Sequence, residues 1–449
     1  LGDSGVSSRV VTAGLGSDPY ISGVALEFER MRTWWAETVG GLPRTFWYLW
    51  VGTLINRAGG FVVIYLAVYL TVVRDFPAGF VGMVVGLHGA GGAVGAVIGG
   101  VLADRWGRRP TLLLGHFGAS AAALSLGMVS GPIAIALLTV AFGVCMGMSR
   151  PAFNATVIDV VPEDDRLRAL TLNYWAVNLG FSAAALIAGF LATVDYLLLF
   201  VLEAASTFLA GLLLAVTVRE SRPVIATAPS TREGGKRERV GLGTVLADRI
   251  FLIFVALNLF AWMIIEMVPL MPLAMQRDGL PTSAYGTVIA VNGVLIVAGQ
   301  LFVPRLIARR SRTRVLALAA VLLGTGVGMI TVADSVVFYA VTVMIWTLGE
   351  MLVVPTNSAL IADLSPTDLR GRYQGVLTLS FTSASFLSPF VGGLVLQHFG
   401  EATLWLGCLT LGLLVAGAQL VTGPARERRV AELRAAAQSE STGQASAAA

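Results

Sequence analysis

Twelve stretches of about 20 or more mainly apolar residues follow one another along the chain, each long enough to cross the roughly 30 Å hydrocarbon core of a bilayer as a helix. They lie at about 45–72, 79–103, 110–129, 132–158, 167–191, 195–218, 249–275, 282–307, 314–332, 335–362, 371–397 and 402–422. Between the sixth and seventh the pattern lapses into VRESRPVIATAPSTREGGKRERVGLG, whose Pro, Gly, Ser, Thr and charge suit a solvated linker. The pattern predicts an all-α membrane protein in five parts: an N-terminal segment 1–43, a six-helix bundle 44–219, a linker 220–248, a second bundle 249–422 and a disordered tail 423–449. Residues 1–43 hold no continuous apolar run of the signal-peptide kind, so the first span is expected to stay in the mature protein. Within them FERMRTWWAETVG, 28–40, mixes charges with Trp34 and Trp35 and suits a short interfacial helix.

Composition agrees with membrane as the solvent. The 449 residues are 56% hydrophobic and 13% charged, and the mean hydropathy is +0.78, whereas a soluble domain carries about a quarter charged residues. A net charge of +4 could suit nucleic acid, but the basic residues sit in short segments between apolar runs and report topology instead. Of 31 Arg and Lys, 27 fall in the tails, the linker and the even-numbered loops; Arg74 and Arg277 fall in odd-numbered loops, and Arg57 and Arg150 lie inside spans. That alternation puts both tails and the linker in the cytoplasm and makes the chain a multi-pass protein of the inner membrane. Cys145 and Cys408 lie within apolar runs and read as packing residues, and no disulfide, metal site or cofactor is expected.

Adding 204 to a residue number in the first half repeatedly lands on the same residue type in the second. Pro77 and Pro281, Gly82 and Gly286, Gly89 and Gly293, Gly95 and Gly299, Arg105 and Arg309, Arg108 and Arg312, Pro151 and Pro355, and Gly189 and Gly393 are such pairs. The densest run matches Asp159, Pro162, Asp164, Arg166 and Arg168 with Asp363, Pro366, Asp368, Arg370 and Arg372. Six spans per half is an even number, so the halves are parallel repeats, expected to be related by an axis along the membrane normal with a substrate site between them.

The loop after the second span reads GGVLADRWGRRPTLL. Its Gly100, Leu102, Asp104, Arg105, Gly107, Arg108 and Arg109 resemble the signature loop of the major facilitator superfamily, and with the twelve-span layout the resemblance covers residues 45–422. It implies two pseudo-symmetric six-helix bundles and a conformational latch. A carboxylate at Asp104 suits the positive N-terminal end of a helix in the other half, by analogy the start of helix eleven near Gly371 to Gly375, and Arg108 can pair with Asp159 at the end of helix four. The second copy, PRLIARRSRTRVL, has Ala308 in place of the acid, so the latch is expected to be asymmetric. Asp104→Asn is expected to cut transport strongly while membrane insertion is kept; near-normal flux in that variant would remove the latch role.

Ionisable groups at membrane depth are costly and mark functional positions. Arg57 lies mid-span in helix one, Arg150 in the cytoplasmic half of helix four, Glu266 mid-span in helix seven and Glu350 mid-span in helix ten. These four helices line the central cavity in the superfamily that the chain resembles, so two cations and two carboxylates are expected around one cavity. Either an acid takes up and releases a proton as its cationic partner changes, or the four form permanent ion pairs. Glu203 in helix six and His88 in helix two are weaker candidates. Among nearby aromatics, Phe61, Tyr65, Tyr69, Trp262 and Trp346, those singled out for the substrate cavity are Tyr65, Trp262 and Trp346.

Drug and proton antiporters of that superfamily often carry a Gly-Pro-x-x-Gly-Gly type motif in helix five. Here LGFSAAALIAGFL has Ala185 at the proline position, but the repeat partner in helix eleven, ASFLSPFVGGLVL, holds Pro389, Gly392 and Gly393. Helix four lacks a clear Arg-x-x-x-Gly motif. The glycine series GLHGAGGAVGAVIGG lies inside a span with no strand before it, and its Gly91, Gly95 and Gly99 read as helix packing rather than a nucleotide loop. With no nucleophile elbow, Walker lysine or zinc-binding His pair in view, the chain is expected to be a transporter and no enzyme, working as a monomer in the lipid bilayer with a small-molecule substrate and protons as partners. The leading expectation is a proton-coupled exporter of a small lipophilic compound. A symporter importing a nutrient and, more distantly, a membrane-embedded enzyme or sensor are the alternatives.

Overall fold

The computed structural model describes residues 40–220, 242–300, 302–365 and 369–448. Contacts separate Leu1–Arg44 from Thr45–Ala449. Of the first unit only 40–44 is described, and the architecture below is that of the second. The interfacial helix expected over 28–40 lies, but for Gly40, outside the described residues, as do 221–241 of the linker and Pro366 and Asp368 of the repeat.

Twelve helices are long and apolar enough to span a membrane, and no strand occurs among the described residues. In chain order they are α1 (Arg44–Val73), α2 (Ala78–Arg105), α3 (Arg108–Met128), α4 (Pro132–Val160), α5 (Arg166–Leu191), α6 (Tyr196–Thr217), α7 (Arg249–Arg277), α8 (Thr282–Gly299), α9 (Arg312–Val332), α10 (Val336–Leu364), α11 (Arg370–Phe399) and α12 (Glu401–Ala448). Their starts follow local chemistry. Asp195, Asp248 and Ser335 accept from the backbone N–H groups of Leu197, Phe251 and Phe338, and Pro132 occupies the first turn of α4, where no N–H partner is needed. Gly107, at φ 128, makes the corner between α2 and α3 in a region that side chains disfavour.

Two of the spans are broken at depth. α1 consists of Arg44–Ala58 and Phe61–Val68 separated by Gly59 and Gly60, and it ends in a π-turn, Tyr69–Val73. α7 runs as a helix to Ile265, is interrupted at Glu266 and Met267, and continues through a tight turn, Val268–Leu270, into Met271–Arg277.

Two boundaries differ from the sequence expectation. α8 stops at Gly299 rather than near 307, and a separate short helix, Val303–Ile307, follows. The tail expected to be disordered from 423 is helical to Ala448 as a continuation of α12. Ala, Glu, Arg and Leu dominate VAELRAAA and are strong helix formers. Arg426, 2% exposed, lies over the Phe254 ring of α7 and bonds Gln419, two turns back. Glu427 accepts from Ser311 and Thr313 at the start of α9, at 3.1 Å each. The charges that ended the apolar run are the ones that tie the helix down.

The 204-residue repeat is visible in side-chain geometry. Arg108 of α3 pairs with Asp159 of α4 at 3.1 Å and donates to the Ala103 carbonyl at 2.8 Å. Its counterpart Arg312 pairs with Asp363, so the ion pair repeats, while its carbonyl partner, Ala359 at 3.1 Å, lies on α10 rather than on the helix equivalent to α2. The halves meet through two equivalent crossings, α2 on α11 and α5 on α8. A Cβ on Gly82 would lie 2.8 Å from the Cα of Gly393, and a Cβ on Gly286 would lie 3.0 Å from the Cα of Gly189. Only hydrogen at these positions lets the backbones approach so closely.

Both crossings occupy the end away from the basic loops. There Gln397 of α11 also accepts from the Gly79 N–H of α2 at 2.9 Å. At the basic-loop end, a Cβ on Gly100 of α2 or on Gly375 of α11 would have nothing within 4 Å. The glycine crossings thus lie at the end away from the basic loops, while toward the basic loops Tyr174 of α5 packs against the cluster of Ile296, Val303 and Met351 in the second half.

Candidate transport site

The breaks in α1 and α7 deliver charge to the middle of the molecule. Arg57 is the penultimate residue of the first α1 segment, and Glu266 ends the first α7 segment. Arg57 lies within electrostatic reach of Arg150 and Glu203, Arg150 of Glu266, and Glu266 of Glu350. The four charges singled out in the sequence therefore share one neighbourhood. The Glu350 carboxylate accepts from the Asn292 amide of α8 at 2.9 Å, and the same amide donates to Thr347 at 3.1 Å. Ser385 of α11 sits beside the Glu266 carboxylate. His88 of α2 also reaches this set, near Arg57 and Arg150, with its ring 5.5 Å from that of Phe142 and its buried Nε2 without a described partner. Carboxylates so placed can hold or give up a proton according to which cation a conformation brings beside them.

One turn before Glu266 on the same helix face, Trp262 meets Phe381 of α11 edge to face at 4.9 Å. Both border a cavity of about 200 Å³ with Asn258 of α7, Asn357 of α10 and Gln374 and Thr378 of α11.

At the basic-loop end, Asp104 pairs with Arg108 at 3.2 Å and its side chain is 77% exposed. Among the described residues its partner is Arg108, four residues on; the start of α11, expected from the resemblance as its docking point, lies partly outside the described residues. Arg105 is exposed, while Arg109 donates to the Ala215 carbonyl at 2.6 Å. Glu220, which no sequence motif singles out, accepts from the backbone N–H groups of both Arg108 and Arg109, at 2.9 and 3.2 Å, and so caps α3 beside Gly107. Pro389, Gly392 and Gly393 belong to the sealed end: Gly393 faces Gly82, and a Cβ on Gly392 would come 2.8 Å from Leu270 of the α7 turn.

The family model of the Major Facilitator Superfamily matches residues 49–389 and 269–441, which together cover nearly all of the described chain. The chain belongs to the Major Facilitator Superfamily. It is a multi-pass membrane transporter and not an enzyme. Similar curated proteins include the uncharacterized MFS-type transporter YqjV of Bacillus subtilis, 24% identical over 359 residues, 79% of this chain and 87% of the relative. A Na(+), Li(+), K(+)/H(+) antiporter of Planococcus maritimus is 23% identical, covering 75% and 85%. The multidrug resistance protein MdtH of Aeromonas hydrophila is 24% identical, covering 82% and 91%. Among solved structures, a POT family transporter superposes with a TM-score of 0.71 at 16% identity, covering 86% of this chain and 98% of that one, which shows the shared fold.

In this superfamily member two of the three aromatics expected at the cavity lie in packed protein. Tyr65 is 1% exposed; its hydroxyl donates to the Thr282 carbonyl at 3.0 Å and its ring meets Tyr285 edge on at 5.5 Å. It is part of the sealed α5–α8 crossing. Trp346 is 3% exposed, with its backbone against Gly326 of α9. Glu203, the weaker candidate because helix six is peripheral in the family, reaches across to the α1 break and accepts from the Val62 N–H at 2.5 Å.

Proposed function

We propose that this transporter is a proton-coupled exporter of a small lipophilic compound, resident in the bacterial inner membrane with both tails and the linker on the cytoplasmic side. The observation that carries the reading is a chain of buried charges, Arg57 near Arg150, Arg150 near Glu266 and Glu266 near Glu350, whose members Arg57 and Glu266 stand at the breaks of α1 and α7, with Glu266 one turn from Trp262 of the cavity. A carboxylate whose cationic neighbour changes between conformations provides a site for the driving proton, and the adjoining aromatic cavity provides one for the compound. The names of the similar MdtH and cation/H(+) antiporter proteins support export and proton exchange. With the basic loops cytoplasmic, the glycine crossings at the far end and the open space around Gly100 and Gly375 support an inward-facing reading of this conformation. The Asp104 contact with α11 then belongs to the outward-facing one, in which the basic-loop end closes.

Inverted membrane vesicles test this. An acid interior is expected to drive accumulation of a labelled lipophilic compound, and Glu266→Gln is expected to abolish that accumulation while downhill flux persists. Accumulation only in right-side-out vesicles would establish import instead, and a Glu266→Gln protein that still concentrates compound would remove Glu266 from the coupling.

A further inference from the structure

The cavity among α7, α10 and α11 has a chemistry distinct from the charged centre beside it. None of its lining residues is ionisable. Its floor is a fixed chain of amides: Asn258, 4% exposed, donates to Ser380 at 2.6 Å and accepts from the Asn357 amide at 2.5 Å. Asn357, itself 7% exposed, is thereby held with its nitrogen on Asn258 and its carbonyl oxygen turned from that bond, leaving an acceptor for an occupant. Gln374 is exposed at the cavity rim on α11. One turn along the same faces of α7 and α11 the lining becomes aromatic, Trp262 against Phe381.

We propose that this cavity is the specificity subsite of the transporter and takes an uncharged, planar aromatic group bearing an amide-like edge, of the size of one fused bicyclic ring system. An aromatic pair with hydrogen-bonding amides one turn along from it offers partners to both the face and the edge of such a ring. A charged ring would leave its charge among amides and apolar side chains with no ionic partner, which is costly. Glu266, one turn beyond Trp262, lies outside the lining, so compound and proton occupy adjacent rather than shared positions. The inference rests on the exporter reading, whose substrate class it names.

Equilibrium binding to the purified full-length protein, with no gradient present, tests it using one ring system in three charge states: quinoline-2-carboxamide, N-methylquinolinium and quinoline-2-carboxylate. The carboxamide is expected to bind saturably and at least about tenfold more tightly than either ion, and Asn357→Leu to weaken it by about tenfold, the worth of one buried hydrogen bond. Gln374→Leu, at an exposed position, provides a second variant whose folding is safe and is expected to weaken binding to a lesser degree. Equal or tighter binding of the cation, no saturable binding of the carboxamide, or carboxamide binding unchanged in both variants overturns the proposal. Carboxamide binding without gradient-driven flux would count against the exporter reading alone; gradient-driven export of other compounds without carboxamide binding would count against this subsite alone.

Discussion

Gly286→Val is expected to unseal the α5–α8 crossing and stop transport. The Cβ alone would lie 3.0 Å from the Gly189 Cα and 2.9 Å from the Tyr65 hydroxyl, and the obstacles include backbone that cannot rotate away. Overpacking costs about 1–3 kcal/mol, and a bias of that size between two conformations shifts their ratio by about 5- to 150-fold. The shift is away from the conformation described here, because the crossing exists only when this end is sealed. Spin labels at Val73 of α1 and Phe399 of α11, both exposed at the sealed end, would report it as a longer inter-label distance in a background with Cys145 and Cys408 replaced by alanine. Gly407→Val, at a glycine of α12 with open space around it, is the control expected to transport normally. An unchanged distance distribution and normal flux in Gly286→Val would show that the crossing is not a gate.

The spans and the repeat could be read from the chain because both follow from counting. Hydrocarbon thickness sets the length of an apolar run, and a gap-free duplication sets a constant offset that survives in residues with steric or ionic duties, such as Gly82 with Gly286 and Arg108 with Arg312. The four intramembrane charges stood out for the same reason: each interrupts an apolar run. What could not be read was direction. Trp262, Tyr65 and Trp346 look alike along a one-dimensional pattern, yet Trp262 borders a cavity, Tyr65 bonds across the α5–α8 crossing and Trp346 packs on α9. Asp104 shows a second limit. On the transport cycle proposed above, its partner depends on which end of the molecule is closed, and one sequence encodes both arrangements. The overextended α8 and the truncated α12 show a third, since hydropathy finds where lipid could be and not where a helix ends: Arg426 and Glu427 stop the apolar run and stabilise the helix at once.

The two crossings are equivalent in backbone and unequal in chemistry. The α2–α11 crossing carries Pro389 and the Gln397 bond to Gly79, whereas the α5–α8 crossing has Ala185 at the equivalent position and the Tyr65 hydroxyl on Thr282. Tyr65 belongs to the second segment of α1, so the break at Gly59 and Gly60 connects this crossing to Arg57. Whatever fixes the two α1 segments relative to one another also fixes the crossing relative to the charged centre.

Glu203 has that position, and Glu203→Leu is expected to reduce both the yield of folded protein and its flux, the latter by more than about tenfold. The break leaves the first N–H groups of Phe61–Val68 without intrahelical partners, and the buried Glu203 carboxylate takes that of Val62 at 2.5 Å. Leucine would strand that donor at a cost of about 1–3 kcal/mol, and would also remove the acid near Arg57. The same face of α6 holds the rest of the break: Thr207 accepts from Asn56 at 3.1 Å, and Ser206 packs on Gly59 where no side chain fits. Glu203→Gln separates the two duties, since an amide oxygen still accepts from Val62 but carries no charge. It is expected to keep folding, read as the thermal unfolding midpoint in detergent, and at least about half of the flux, because capping needs an acceptor rather than a charge. Wild-type stability in Glu203→Leu would show that the break does not need its cap. Equal loss of flux in the glutamine and leucine variants would move the role from the Val62 N–H to the Arg57 charge.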